Sequence, residues 1–266
     1  MDLCSASNIS EKIKGVSRVL FPFLRHSHRL AMLGRVKNSI ELEITLDCNA
    51  FCSQCSRHCN ILDYGDTSMS VDQVDRFICQ VIESGKPLRI ITVIGGEPSL
   101  HPELSLIVNK LYDQLVSTGR VGELRIATNG IRDLPDDVKD LPIVIIRSPL
   151  SQKKHRCQFV APKDTGQETR FCNVPYSCGM ALNVFGYFPC GAGGAIIRLF
   201  KMDKFTKYRL PDNPESFIGF REEVCPLCQA SAEKQLMEGV DDCTPSSSFQ
   251  MALADFREEP PSYPRF

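Results

Sequence analysis

The stretch that decides the fold runs from Ser39 to Cys55 and reads SIELEITLDCNAFCSQC. Its first half alternates apolar and polar residues, which predicts a β-strand over residues 40–46. Its second half places Cys48, Cys52 and Cys55 directly after that strand, with the spacing Cys-x3-Cys-x2-Cys. A compact loop of this kind can put three thiolates on three corners of a cubane cluster. The fourth iron then has no protein ligand and is open to a substrate or cofactor.

Strand and helix patterns alternate after this loop. Helices are predicted over residues 70–84, 104–115 and 135–140, and strands over 88–94, 124–127 and 143–146. This order indicates parallel strands with covering helices, an arrangement that carries its chemistry at the carboxyl ends of the strands. Further along, a β-hairpin is predicted between Met180 and Cys190, with Gly186 at its turn.

Two more motifs follow the next two predicted strands. The residues concerned are Gly95, Gly96, Glu97 and Pro98 after the second strand, and Thr128, Asn129 and Gly130 after the third. In these motifs, taken with the cysteine loop, the chain resembles the radical S-adenosylmethionine (SAM) enzymes. Three motifs in the same order, each at the end of a strand, are more specific than the cysteine spacing alone, which a zinc site could also show.

The resemblance implies a cofactor and a reaction type. Cys48, Cys52 and Cys55 would bind a [4Fe–4S] cluster whose open iron is chelated by the amino and carboxylate groups of SAM. The Gly-Gly-Glu-Pro motif would receive the methionine amino group, and Thr128 and Asn129 would complete the SAM site. The reduced cluster would cleave SAM to a 5′-deoxyadenosyl radical that abstracts hydrogen from an unactivated carbon. Cys59 is interpreted as a bystander, because a fourth thiolate would occupy the iron that SAM needs.

A second group of cysteines surrounds the predicted hairpin. Its members are Cys172, Cys178, Cys190, Cys225 and Cys228. This stretch resembles the auxiliary-cluster domains of the same family, called SPASM at full length and twitch when shortened, and most of all the single-cluster form of the 2-deoxy-scyllo-inosamine dehydrogenase type. The resemblance implies an auxiliary [4Fe–4S] cluster on Cys172, Cys190, Cys225 and Cys228, with Cys178 as a fifth candidate. A structural zinc site on the same four thiolates is the alternative.

The expected fold class is α/β, a partial (β/α) barrel followed by a small β-hairpin domain that holds the auxiliary cluster. The predicted divisions are a helical lead-in over 1–38, the barrel over 39–165, the twitch- or SPASM-like domain over 166–245 and a flexible tail over 246–266.

Composition narrows the function classes. Lys and Arg total 31 against 32 Asp and Glu, which argues against a large nucleic-acid-binding face. The chain has neither an apolar run near the ~18 residues of a membrane span nor a signal peptide at its start. Its 13 cysteines are therefore expected to remain thiols in the cytoplasm.

The leading hypothesis is a radical SAM oxidoreductase acting on a polar small molecule such as a sugar or aminocyclitol. The auxiliary cluster would accept an electron in a dehydrogenation, and an external donor such as flavodoxin or ferredoxin would reduce the first cluster. Epimerisation, with the thiol of Cys157 or Cys178 returning hydrogen, remains open. So do peptide modification and a non-catalytic iron–sulfur or zinc protein, whereas the neutral charge disfavours RNA modification.

Overall fold

The computed structural model describes most of the chain between Asn38 and Phe266. The described residues are 38–52, 55–59, 61–62, 65–147, 172, 174–228 and 246–266. The predicted helical lead-in over 1–38 lies outside them except for its last residue, and so does the end of the predicted barrel over 148–165. The proposed division between residues 165 and 166 stays a prediction.

A six-stranded sheet forms the centre of the fold. Its strands are β1 (Ser39–Thr45), β2 (Leu88–Gly95), β3 (Val121–Thr128), β4 (Val144–Arg147), β5 (Met180–Asn183) and β6 (Gly186–Phe188), in the spatial order β4-β3-β2-β1-β5-β6. The strands from β4 to β5 in this order pair in parallel, and β6 is antiparallel to β5. The parallel strands therefore end at one common edge, as the α/β prediction requires.

The helices mostly follow the predicted alternation. They are α1 (Val71–Ser84), α2 (Leu104–Leu111), α3 (Asp136–Lys139), α4 (Val174–Ser177), α5 (Gly191–Leu199), α6 (Phe220–Glu223) and α7 (Ser247–Glu258). A π-helical turn over Tyr112–Val116 continues directly from α2. The predicted helix over 104–115 is therefore confirmed, with an α-helical first part and a π-helical end. Ser70 caps α1 through a hydrogen bond from the Gln73 amide, and the Gln73 side chain accepts in return from the Ser70 amide. No helix in these described ranges is both long and apolar enough to cross a membrane.

The two faces of β1 differ in polarity. Ile40, Leu42 and Ile44 are fully buried in the core that includes Val74 and Phe77 of α1. Because successive side chains of a strand point to opposite faces, the alternate residues of β1 lie on the face turned away from this core. These alternate residues are Ser39, Glu41, Glu43 and Thr45. One face of the strand thus anchors the helices, and the other presents a buried polar surface.

The predicted hairpin is present, but it continues the main sheet. Met180 pairs with Ile40 and Leu182 with Leu42, so β5 lies beside β1 in parallel. The hairpin itself closes through β6, and its turn places Gly186 opposite Asn183. The sequence alone shows the hairpin, while its place at the edge of β1 depends on contacts between residues about 140 positions apart.

The predicted flexible tail over 246–266 is wrong. Ser246 caps α7, and Phe249 and Phe256 of that helix are buried against Leu62 and Leu199. Phe266 is also buried, with its ring 5.4 Å from that of Tyr187. The Pro and Ser content suggested disorder, but burial of these aromatic side chains supplies enough apolar stabilisation to order the segment.

We predict that Phe266→Ala lowers the free energy of unfolding by about 3 kcal/mol, because the variant loses a buried aromatic side chain. The Phe266 backbone amide donates to the Val184 carbonyl over 2.8 Å, and the Gln73 side-chain amide donates to the Phe266 carbonyl over 2.7 Å, so the backbone of Phe266 is held from both sides. Urea unfolding of the purified apoprotein measures the change. Met251→Ala is the control, since Met251 is 73% exposed and should change stability by less than about 0.5 kcal/mol. Equal stabilities of the two variants would show that the end of the described chain is not part of the core.

Candidate functional site

The second and third motifs are joined through Glu97 at the carboxyl edge of the sheet. Its side chain is fully buried and one oxygen accepts hydrogen bonds from the Thr128 hydroxyl at 2.7 Å and the Ser99 amide at 3.0 Å. The other oxygen accepts from the Asn129 amide at 2.7 Å. A buried carboxylate is costly unless it is hydrogen-bonded, so these contacts fix the ends of β2 and β3 against each other.

The cysteine loop is attached to the same junction. The Gly96 amide donates to the Thr45 carbonyl over 2.8 Å, and the Glu97 amide donates to the Asp47 carbonyl over 2.7 Å. From β3, the Asn129 side chain donates to the side-chain oxygen of Asn49 over 2.8 Å. Asn49 lies between the first two cysteines of the loop. All three sequence motifs therefore meet at one place, as their positions after successive strands predict.

The two glycines of the second motif are required by this close approach. A Cβ atom on Gly96 would lie 2.1 Å from the Asp47 carbonyl oxygen, and one on Gly95 would lie 2.0 Å from that of Thr45. Gly95 also has φ of +150°, a backbone conformation that favours glycine. Any larger residue at either position would push the cysteine loop away from β2.

Cys48, Cys52 and Cys55 are half-buried in the loop after β1. The Ala50 amide donates to the Cys48 sulfur over 3.4 Å, and burial raises the pKa of the Cys48 thiol. Cys48 also interacts electrostatically with both of the other cysteines. The structure thus brings the three predicted ligands together, while their roles as ligands stay predictions.

Cys59 lies against the third cysteine of this loop. A hydrogen bond from Cys59 lowers the pKa of the Cys55 thiol to about 5 and raises the pKa of the Cys59 thiol. Cys55 is therefore the more acidic thiol of the pair. The interpretation of Cys59 as a bystander is not tested by this contact.

The second cysteine group also comes together. Cys190 caps α5, where its sulfur accepts from the Gly193 amide over 3.2 Å, and it interacts electrostatically with Cys225 and Cys228. Cys225 in turn interacts with Cys172, and burial raises its pKa to about 11. The fifth candidate, Cys178, is exposed and interacts electrostatically with Cys172.

Both groups offer thiols as their donor set, which fits a [4Fe–4S] cluster with one thiolate on each iron. Across the described ranges, no three His, Cys, Asp or Glu side chains converge in a way that would hold a single metal ion. The three thiols of the first group would leave one iron of a cluster open, and the four predicted ligands of the second group would leave none.

Sequence reasoning missed an ion cluster on the polar face of β1. Arg57, two residues after the third cysteine, makes salt bridges with Glu41 at 2.9 Å and Glu43 at 3.0 Å. Burial raises the pKa of Glu41, although Arg57 opposes that shift. The available signal was two glutamates at alternate positions of a strand in the predicted parallel sheet, because charged residues that such a sheet buries need a partner.

Comparisons with known proteins agree with the geometry of the first site. Residues 42–144 match the family model described as the Radical SAM superfamily. Probable GTP 3′,8-cyclases from Methanococcus maripaludis strains C5 and C7 are 31% identical over 98 residues, which is 37% of this chain and 30% of theirs. The chain therefore spans about 30% of the length of the curated relatives it matches.

Solved structures give more remote similarities. BtrN in complex with AdoMet and 2-DOIA has 15% sequence identity and a TM-score of 0.45, and the match covers 73% of this chain and 92% of that chain. BtrN in an open conformation has 16% identity and a TM-score of 0.43, with 81% of this chain and 97% of that chain covered. Streptococcus suis SuiB bound to the precursor peptide SuiA has 13% identity and a TM-score of 0.30, over 43% of this chain and 25% of that chain.

The matched range includes the cysteine loop, the Gly-Gly-Glu-Pro motif and the Thr-Asn-Gly motif, which the hydrogen bonds of Glu97 and Asn129 join into one site. Residues 42–144, which carry all three motifs of the site, are therefore similar to the Radical SAM superfamily.

Proposed function

We propose that the protein is a radical SAM oxidoreductase that removes hydrogen from a polar small molecule, of which a sugar or aminocyclitol is the suggested class. The observation that carries the proposal is the junction at Glu97, which holds the cysteine loop and the two other motifs at one edge of the sheet. With Cys59 interpreted as a bystander, the three thiols of the loop suit a cluster that binds SAM at its open iron.

The chain's own residues hold and orient the reacting parts. Cys48, Cys52 and Cys55 would hold the first [4Fe–4S] cluster. When bound, the reduced cluster and SAM supply the 5′-deoxyadenosyl radical that abstracts hydrogen from the substrate. In this proposal Glu97 acts on SAM through the backbone, and its oxygens accept hydrogen bonds from Thr128, Asn129 and Ser99. Its part is to keep the backbone of residues 95–98 in position for the methionine amino group.

The second cysteine group supports a dehydrogenation. Cys172, Cys190, Cys225 and Cys228 would hold an auxiliary [4Fe–4S] cluster without an open iron, and a fully ligated cluster can accept an electron but cannot bind substrate. Abstraction of hydrogen leaves a substrate radical, and transfer of its second electron to this cluster, with release of a proton to solvent, would complete the two-electron oxidation. If the reaction is an epimerisation instead, the exposed thiol of Cys178 is a candidate to return hydrogen.

The proposal implies an external one-electron donor of the flavodoxin or ferredoxin kind, since the first cluster must be reduced before each cleavage. It also implies a reducing compartment such as the cytoplasm, where the cysteines remain thiols.

We predict that Cys52→Ala abolishes the formation of 5′-deoxyadenosine. Anaerobic reconstitution of the unmodified protein should give about eight irons per chain for two [4Fe–4S] clusters, and the variant should fall towards about four because one ligand of the first cluster is gone. Product analysis after addition of dithionite and SAM measures the cleavage. Cys79→Ala, in the middle of α1, is the matched control and should retain both iron and cleavage. Deoxyadenosine formed by Cys52→Ala at the unmodified rate would contradict the assignment.

We predict that Gly95→Ala weakens SAM binding to the reconstituted protein by at least about tenfold, or 1.4 kcal/mol. The added Cβ would overlap the Thr45 carbonyl oxygen and separate the cysteine loop from β2. Gly119→Ala controls for backbone strain, because Gly119 also has a positive φ, +77°, but nothing lies within 4 Å of its added Cβ. Titration calorimetry under anaerobic conditions measures both affinities. Equal SAM affinities for the two variants would show that the close approach of Gly95 does not shape the SAM site.

A further inference from the structure

The ion cluster on β1 is almost completely removed from solvent. The Arg57 guanidinium donates to one oxygen of Glu43 over 3.0 Å and to one oxygen of Glu41 over 2.9 Å. The side chains of Arg57, Glu41 and Glu43 are 14%, 13% and 0% exposed. One guanidinium thus holds two carboxylates that stand at alternate positions of the same strand, and each of these charges would be costly to bury alone.

The same ion cluster contacts the segment that carries the second cysteine group. The Asn183 side chain, at the end of β5, donates to the second oxygen of Glu43 over 2.7 Å. At the start of α5, the Gly191 amide donates to the Glu41 carboxylate. A Cβ on Gly191 would lie 2.6 Å from an Arg57 nitrogen, 2.8 Å from a Glu43 oxygen and 2.9 Å from a Glu41 oxygen. The backbone that follows Cys190 therefore lies directly on the salt bridges.

These contacts place the ion cluster between the two cysteine groups. On one side, Arg57 belongs to the first cysteine loop and interacts electrostatically with Cys55 and Cys59. On the other side, Glu41 interacts electrostatically with Cys190 and Cys178. Since β1 is central in the sheet, it supplies a rigid base to which both segments are attached.

We propose that Arg57, Glu41 and Glu43 form a positioning clasp that fixes the start of α5, and with it Cys190, relative to the first cysteine loop. This inference rests on the proposed function, because its consequence is a fixed separation between the two clusters. The clasp residues touch neither SAM nor substrate in this proposal. They act through Gly191 and Asn183, whose contacts with the two carboxylates join the segments.

If the salt bridges only stabilised the fold, breaking them would loosen the whole protein. The clasp makes a narrower prediction, since Gly191 and Cys190 should be released while the helices on the other face of β1 remain packed. Cys79 provides an internal reference for this comparison, because it lies on α1, whose apolar residues pack on the other face of β1.

The experiment compares the rates at which iodoacetamide alkylates Cys190 and Cys79 in the apoprotein, measured by mass spectrometry on the same sample. Arg57→Gln should raise the ratio of the Cys190 rate to the Cys79 rate about tenfold, as expected for a local opening made 1.4 kcal/mol easier. Lys110→Gln is the matched control, because Lys110 pairs with Asp75 at 3.0 Å between α2 and α1, away from both cysteine groups. The control should leave the ratio unchanged.

Gly191→Ala should raise the ratio in the same way, because its Cβ enters the clasp from the other side. If both variants break one interaction, the double variant should resemble the stronger single variant rather than show the product of the two effects. Arg57→Lys serves if Arg57→Gln does not fold. Lysine keeps the buried positive charge but lacks the planar guanidinium that spans two carboxylates. The alkylation ratio of this variant should therefore lie between that of the unmodified protein and the roughly tenfold higher ratio expected for Arg57→Gln.

Reconstituted protein gives a second reading that separates this inference from the proposed function. When the unmodified protein forms two clusters, Arg57→Gln should retain the first cluster and SAM cleavage, while the magnetic interaction between the reduced clusters in electron paramagnetic resonance should weaken. Unchanged interaction and an unchanged alkylation ratio in Arg57→Gln would overturn the clasp and leave the proposed function standing. Absence of clusters from the unmodified protein would overturn the proposed function, and the alkylation ratio would still decide the clasp.

Discussion

The candidate site depends on the hydrogen bonds to the buried carboxylate of Glu97. It accepts hydrogen bonds from the Thr128 hydroxyl and from the amides of Ser99 and Asn129, so each of its oxygens is occupied. Removal of a carboxylate from water is favourable only when such donors are already in place. The ends of β2 and β3 are therefore held as one unit, and the glycines before Glu97 allow the cysteine loop to rest against that unit.

Strand β1 connects this junction to the rest of the fold. Its apolar residues face α1 and supply the packing that fixes the strand, while Glu41 and Glu43 on the opposite face bind Arg57. A strand that is covered on both faces cannot shift by one residue without exchanging its apolar and charged faces. The alternation of β1 thereby sets the register of the cysteine loop that follows it and of β5 that lies beside it.

The sequence predicted the local features of this fold and the motifs of the site. Alternation in β1 and the helix predicted over 70–84 are encoded by residues close together in the chain, and the structure confirms them. The three motifs follow successive parallel strands, so their meeting at one edge follows from topology alone. The ligand roles of the cysteines rest on resemblance and stay predictions.

Features that depend on distant residues could not be predicted in the same way. The pairing of β5 with β1 and the bonds from Arg57 and Asn183 to the glutamates of β1 join segments that sequence patterns treat separately. Helix α5 begins with Gly-Ala-Gly-Gly, which has low helix propensity, and its formation depends on burial and on the cap from Cys190. The tail was misjudged because its composition outweighed two buried phenylalanines of α7 in the prediction.

The most direct test of the account is electron paramagnetic resonance of the anaerobically reconstituted and reduced protein, recorded with and without SAM. In this account one iron of the first cluster has no protein ligand and is chelated by SAM. The g values of the [4Fe–4S]⁺ signal should therefore shift when SAM is added. A cluster signal that SAM leaves unchanged, or a protein that retains only zinc at these cysteines, would contradict the central claim.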